Sequence, residues 1–129
     1  MKFRKSERLC SRKSIGKLFA GGNSLFNYPF RVVWLDAGRE QPFPVRLAVS
    51  VPRKRIRKAV DRNRIKRLIR ETYRLNKDYL YQNLQRQNRS IELMVIYVAG
   101  QEYDFRYINN KMKELLKTLS DDQNNQDLV

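Results

Sequence analysis

A single-domain α/β (α+β) sandwich, with helices packed on a sheet in the order α-β-β-β-α-β-α, is the architecture this 129-residue sequence predicts. Three observations predict it. The stretches Ser24 to Asp36 and Val45 to Val51 are rich in aromatic and β-branched residues, and Ile91 to Ala99 is strongly apolar, as strands require. Between the second and third stretches, Ile65, Leu68, Ile69 and Tyr73 recur at helical spacing. With 41% hydrophobic residues, a chain of this length can bury one core and form one domain. Strands on both sides of a helix place helices on the sheet.

The first element is a short helix. Ser11 is placed to cap it, Ile15, Leu18 and Phe19 are its apolar positions, and Gly21-Gly22 stops it. In the extended stretch that follows, Phe30, Val32 and Trp34 share one side and Arg31, Val33 and Leu35 the other. A turn with Gly38, Pro42 and Pro44 leads to the strand Val45 to Val51, which Pro52 ends. The long helix starts near Ala59 or Asp61, where an acid suits the helix dipole. It ends near Asn76 or continues, with a break, through Tyr79 to Gln87. Gly100 closes the last strand. Asp104 caps a final helix with Phe105, Ile108, Met112, Leu115, Leu116 and Leu119 on its buried face. The domain is expected over residues 1–119. The polar segment 120–129, SDDQNNQDLV, is expected to be a disordered tail.

Charge narrows the partner. The net charge is +15, the pI is near 10.4, and the charge falls in two blocks. Arg53 to Arg74 holds eleven basic residues against Asp61 and Glu71, a net +9, and residues 2–17 hold a net +6. Such concentration suits a polyanion, most commonly nucleic acid, with an anionic membrane surface the weaker alternative. The sequence shows neither a bilayer-spanning apolar run nor a signal-peptide pattern, so a cytoplasmic protein without a membrane partner is expected. Cys10 is the only cysteine and reads as a bystander thiol. Histidine is absent, which removes the commonest general acid/base and metal ligand. The acids are scattered without a paired-carboxylate motif, so no catalytic or metal-ligating residue is assigned.

On a helical wheel, Ile65, Leu68, Ile69, Thr72 and Tyr73 form a core face. Arg62, Asn63, Lys66, Arg67, Arg70 and Arg74 form the adjacent flank, with Arg64 and Glu71 further round. Arginine forks can take two phosphate oxygens, and Asn63 can reach sugar or base edges. The bland alternative is a solvated helix with pairs such as Glu71 to Arg67 or Arg74. Uncompensated like charges at i,i+4, such as Lys66/Arg70, disfavour it in a lone helix.

The segment AVDRNRIKRLIRETYR, residues 59–74, resembles the signature of the bacterial ribonuclease P protein component: Arg62, Asn63, Arg64, then Lys66, Arg67, Arg70 and Glu71. LAVSVPRK and IGKLFAGGNS are similar to further family segments, and the likeness covers about residues 3 to 119. The resemblance implies a ribosomal protein S5 domain 2-like fold with a left-handed crossover. It also implies the role of a small basic subunit of an endoribonuclease that removes the 5′ leader of precursor tRNA. The catalyst there is a large RNA, and magnesium is held mainly by that RNA. The implied partners are the catalytic ribonuclease P RNA and precursor tRNA. Arg62, Asn63, Arg64, Lys66, Arg67, Arg70 and Lys58 would bind the catalytic RNA. Phe19, Arg31, Val33, Ser50 and Arg53 would line a cleft for the single-stranded leader, where stacking suits varied sequences. The chain departs from the family with Ile15 and Val33 at positions usually aromatic. The main rival is a ribosomal-type RNA-binding protein with no processing role. A DNA-binding helix-turn-helix lacks its preceding short helix, and a self-sufficient nuclease lacks histidines.

Overall fold

A computed structural model of the chain describes residues 7, 16, 19–37 and 43–126. Four strands form one sheet: β1 (Asn23–Asn27), β2 (Phe30–Asp36), β3 (Val45–Ser50) and β4 (Ile91–Tyr97). Three helices follow in chain order as α1 (Ala59–Asn76), α2 (Asp78–Arg86) and α3 (Phe105–Gln126). Gly16 and residues 19–21 are also helical. The expected cap Ser11 and the apolar positions Ile15 and Leu18 lie outside the described residues, as do Cys10, Gly38 and Pro42.

The sheet order is β1-β2-β4-β3. β1 and β2 pair antiparallel, as do β2 and β4, while β3 and β4 run parallel. A parallel pair needs a crossover, and α1 with α2 supplies it. The extended stretch Ser24 to Asp36 is thus a hairpin of β1 and β2, which with β3 makes the three strands expected before the long helix. Tyr28 and Pro29 make its turn, and the Pro29 carbonyl accepts a bond from the Val98 amide at 2.9 Å.

The core lies between one sheet face and the helices. Phe30, Val32 and Trp34 of β2 meet Val45 and Leu47 of β3 and Ile91, Leu93, Val95 and Tyr97 of β4 there. Against them pack Ile65, Ile69 and Tyr73 of α1, Leu80 and Leu84 of α2, and Ile108, Met112, Leu115, Leu116 and Leu119 of α3. These are the alternation and helical face that the sequence predicts. Phe105 differs from that expectation. It occupies the first position of α3 and stays exposed, while Asp104 caps the helix by accepting from the Tyr107 amide at 2.9 Å.

The break after α1 falls at Lys77. Lys77 is buried, and its Nζ donates to Glu7 Oε2 at 2.6 Å. The same carboxylate oxygen accepts from Tyr81 Oη at 2.6 Å, and Tyr73 Oη donates to Tyr81 Oη at 3.1 Å. Burial is the main cause that pushes both tyrosine hydroxyls far above their ordinary pKa. α2 ends in a left-handed residue, Asn88, with φ 54°. The Arg89 amide reaches the Leu84 carbonyl at 2.9 Å and the Asn88 amide the Gln85 carbonyl at 3.1 Å, a Schellman closure.

The expected disordered tail is corrected over residues 120–126, which continue α3. Ser120 is fully buried and accepts a hydrogen bond from the amide of buried Asn83. Composition read Ser120 as solvated, and the packing of α3 overrides that reading there, while Asp121 is exposed.

Candidate nucleic-acid interface

The basic loop after β3 is held from both ends. Pro52 opens a turn in which the Arg55 and Ile56 amides donate to its carbonyl at 3.0 and 3.2 Å. Ile56 is buried and pins the loop to the core, leaving Arg53, Lys54, Arg55, Arg57 and Lys58 exposed. From α1, the Arg62 guanidinium reaches back to the carbonyls of Ile56 at 3.0 Å and Arg57 at 2.7 Å. One residue of the Arg-Asn-Arg segment thus fixes the shape of the loop before it.

The rest of α1 presents its charges outward. Its buried residues are Ile65, Ile69, Thr72 and Tyr73, with Leu68 half-buried. Asn63, Arg64 and Arg67 are exposed, and Lys66 and Arg70 are half-buried on the flank. Arg64 Nη1 lies 3.3 Å from Asp61 and 3.0 Å from Glu102. Exposed pairs contribute only about 0–1 kcal/mol, so a phosphate can compete for this guanidinium. Arg74 pairs with Glu71 at 2.5 Å instead of joining the flank. That hydrogen bond holds the Glu71 carboxyl below its ordinary pKa and raises the Arg74 guanidinium. Lys58 stands at the N-cap of α1 without a side-chain cap bond. First-turn amides and the positive dipole end therefore face the basic loop, an arrangement that favours anions. An open hollow of about 390 Å³ lies there, lined by Lys54, Arg55, Arg57 and Lys58 on one side and Gly100 and Glu102 on the other.

The second sheet face carries three of the expected leader residues, Arg31, Val33 and Ser50. Cross-strand register sets them in rows: Arg31 and Ser50 flank Ile96, and Val33 and Ala48 flank Met94. Arg31 is exposed and Ser50 half-buried. Arg53 lies three positions beyond Ser50, in the loop. Val33 behaves differently: it is 5% exposed and packs with Ala48 and Met94. It is a floor residue, because the middle row of a small apolar cluster has little surface left to offer. Phe19, one of the expected apolar helix positions, is 61% exposed, which removes plain core packing as its role. Phe26, which the sequence reading passed over, shares the Arg31 row and is also exposed. No periodicity signal marks it, because the hairpin turn changes its face.

The carboxylates described around the hollow do not suit a magnesium ion. Asp61 and Glu102, the carboxylates lining the hollow, are bridged by the Arg64 guanidinium. Among the described residues no group of three or more Asp, Glu, His or Cys side chains could hold a metal ion, and no helix is long and apolar enough to cross a membrane.

A small mixed α+β domain with a four-stranded sheet and an outward-facing arginine helix defines a class, that of a basic protein built around one cationic helix flank. Comparison with known proteins gives the family. The family model described as Ribonuclease P matches residues 3–120. The ribonuclease P protein component of Porphyromonas gingivalis is 39% identical over 112 residues, covering 87% of this chain and 82% of the relative. That of Dictyoglomus turgidum is 36% identical over 117 residues, covering 88% and 86%. Among solved structures, the Staphylococcus aureus RNase P protein superposes with a TM-score of 0.72 at 25% identity, covering 89% of this chain and 96% of that one. The Thermotoga maritima RNase P protein gives 0.69 at 30% identity, covering 86% and 96%. The chain belongs to the ribonuclease P protein family. Membership implies an RNA partner in a ribonucleoprotein and a part in endonucleolytic tRNA processing.

Proposed function

We propose that this chain is the protein subunit of a bacterial ribonuclease P. In this reading α1 and the basic loop grip the catalytic RNA, and the second sheet face holds the single-stranded 5′ leader of precursor tRNA. The observation that carries it is the Arg62 clamp. It joins the exposed loop cations and the α1 flank into one surface of fixed shape, as a folded RNA backbone requires. The rows of Arg31, Ile96 and Ser50 offer a cation, an apolar contact and a hydroxyl to a strand without fixed sequence.

The chain's own contribution is binding and orientation. Arginine forks neutralise phosphates and release counterions. Arg31 and Phe19 hold the leader beside the RNA-bound substrate. Hydrolysis belongs to the catalytic RNA, and magnesium is held mainly by that RNA. The assembly works in the cytoplasm.

Equilibrium binding tests this directly. Precursor tRNA bearing a leader should bind the reconstituted RNA–protein complex more tightly than mature tRNA, and the difference should vanish with the RNA alone. An equal preference with and without the protein contradicts the reading.

A further inference from the structure

One row of side chains crosses the whole second face of the sheet. Phe26 on β1 lies opposite Arg31 on β2, Arg31 opposite Ile96 on β4, and Ile96 beside Ser50 on β3. Its neighbours fix the direction of Phe26. Leu25 packs against the core, and Asn27 Nδ2 donates to the Lys111 carbonyl of α3 at 3.4 Å. Alternation therefore turns Phe26 to the opposite face, where its side chain is 65% exposed.

That exposure is costly for an edge strand. β1 reads NSLFN and carries no charged residue, whereas edges are normally blunted by charge or proline. The ring calls for a partner, and its surroundings say which. Residues directly opposite in an antiparallel pair stand about 5 Å apart at Cβ, so Arg31 and Phe26 share one patch of this face. A flat aromatic face next to a cation suits a nucleobase with its phosphate. The adjacent row, Ser24, Val33, Met94 and Ala48, contains no acid to repel that phosphate.

We propose that Phe26 is a stacking platform for a further leader nucleotide, prolonging the leader path to the β1 edge. This rests on the leader reading above. Three strand spacings separate β3 from β1, about 14 Å. Stacked single strand rises about 3.4 Å per nucleotide, so the row accommodates several. The β3 end adjoins the loop that meets the catalytic RNA. Phe26 therefore takes a nucleotide distal to the cleavage site, and only longer leaders reach it.

The test is a leader-length series bound to the holoenzyme reconstituted from the full chain and its cognate RNA. The ratio of affinities for long and short leaders is compared among wild type, Phe26→Ala and Phe26→Trp. The Ala variant should lose about fivefold or more of that ratio, and the Trp variant should keep it. A wild-type ratio in Phe26→Ala, with wild type still discriminating leader length, overturns the proposal and leaves the leader reading standing. Absence of any leader dependence in wild type overturns both. Self-association of the free chain that Phe26→Ala abolishes, with the ratio unchanged, makes the ring a protein contact and also overturns the proposal.

Discussion

The guanidinium of Arg62 donates to the main-chain carbonyls of Ile56 at 3.0 Å and Arg57 at 2.7 Å, tying α1 to the loop that precedes it. A residue of the family signature thus acts on the protein's own backbone. Arg67, on the same helix, is exposed and makes no ion pair among the described residues. The two arginines should separate experimentally. Arg62→Ala should lower unfolding stability by about 1–2 kcal/mol, since two charge-assisted bonds are lost at a partly exposed site. Arg67→Ala should leave stability unchanged and reduce the salt slope of RNA binding by about one. Chemical denaturation and salt-dependent binding of both variants check this, and matching stabilities would remove the clamp.

The buried pair of Lys77 and Glu7 gives a sharper stability prediction. Removing one partner strands the other charge out of water, at a cost of about 3–5 kcal/mol. Lys77→Met alone and Glu7→Gln alone should therefore each lower the urea midpoint strongly. The double variant should recover much of the loss, because no lone charge remains. Additive losses in the double variant would show that the pair is not coupled.

Ser120 tests the packing of α3 against α2. Ser120→Ala leaves the buried Asn83 amide without that acceptor and should cost about 1–3 kcal/mol in thermal unfolding. A neutral result would return residue 120 to the solvated tail.

Glu71 fixes a pH dependence. Its carboxyl is held below the ordinary value of 4.5 by the hydrogen bond from Arg74. A depressed folded pKa contributes stability that is present above the unfolded pKa and lost as pH falls through the folded one. Wild type should therefore lose stability relative to Glu71→Gln on acidification below about pH 4.5. Parallel curves for the two proteins across that range would refute the contribution of the pair.

Much of this was legible from local pattern, and the misses share one physical origin. Ile65, Ile69 and Tyr73 repeat with the helix, so the buried face of α1, and by subtraction its cationic flank, follow from spacing alone. Arg31 and Val33 share a face by simple alternation, yet only packing makes one exposed and the other a floor residue. Phe26 was hidden by the turn at Tyr28 and Pro29. In one unbroken strand it would lie on the Phe30 side, whereas the hairpin register sets it opposite Arg31. The Arg62 clamp and the contact of Ser120 with Asn83 depend on where a side chain lands after folding, which spacing does not encode.

Phe19 separates leader binding from packing. Because its ring is largely exposed, Phe19→Ala should leave stability near wild type while weakening leader-bearing precursor more than mature tRNA. Equal weakening of both ligands would make Phe19 a general contact.

In the proposed function this protein holds a catalyst and is not one. Precursor-tRNA cleavage at low magnesium, with protein alone, cognate catalytic RNA alone and both together, tests it most directly. No cleavage by the protein, little by the RNA and efficient leader removal by the pair are expected. Cleavage by the protein without RNA, or failure of the protein to stimulate the RNA, would contradict it.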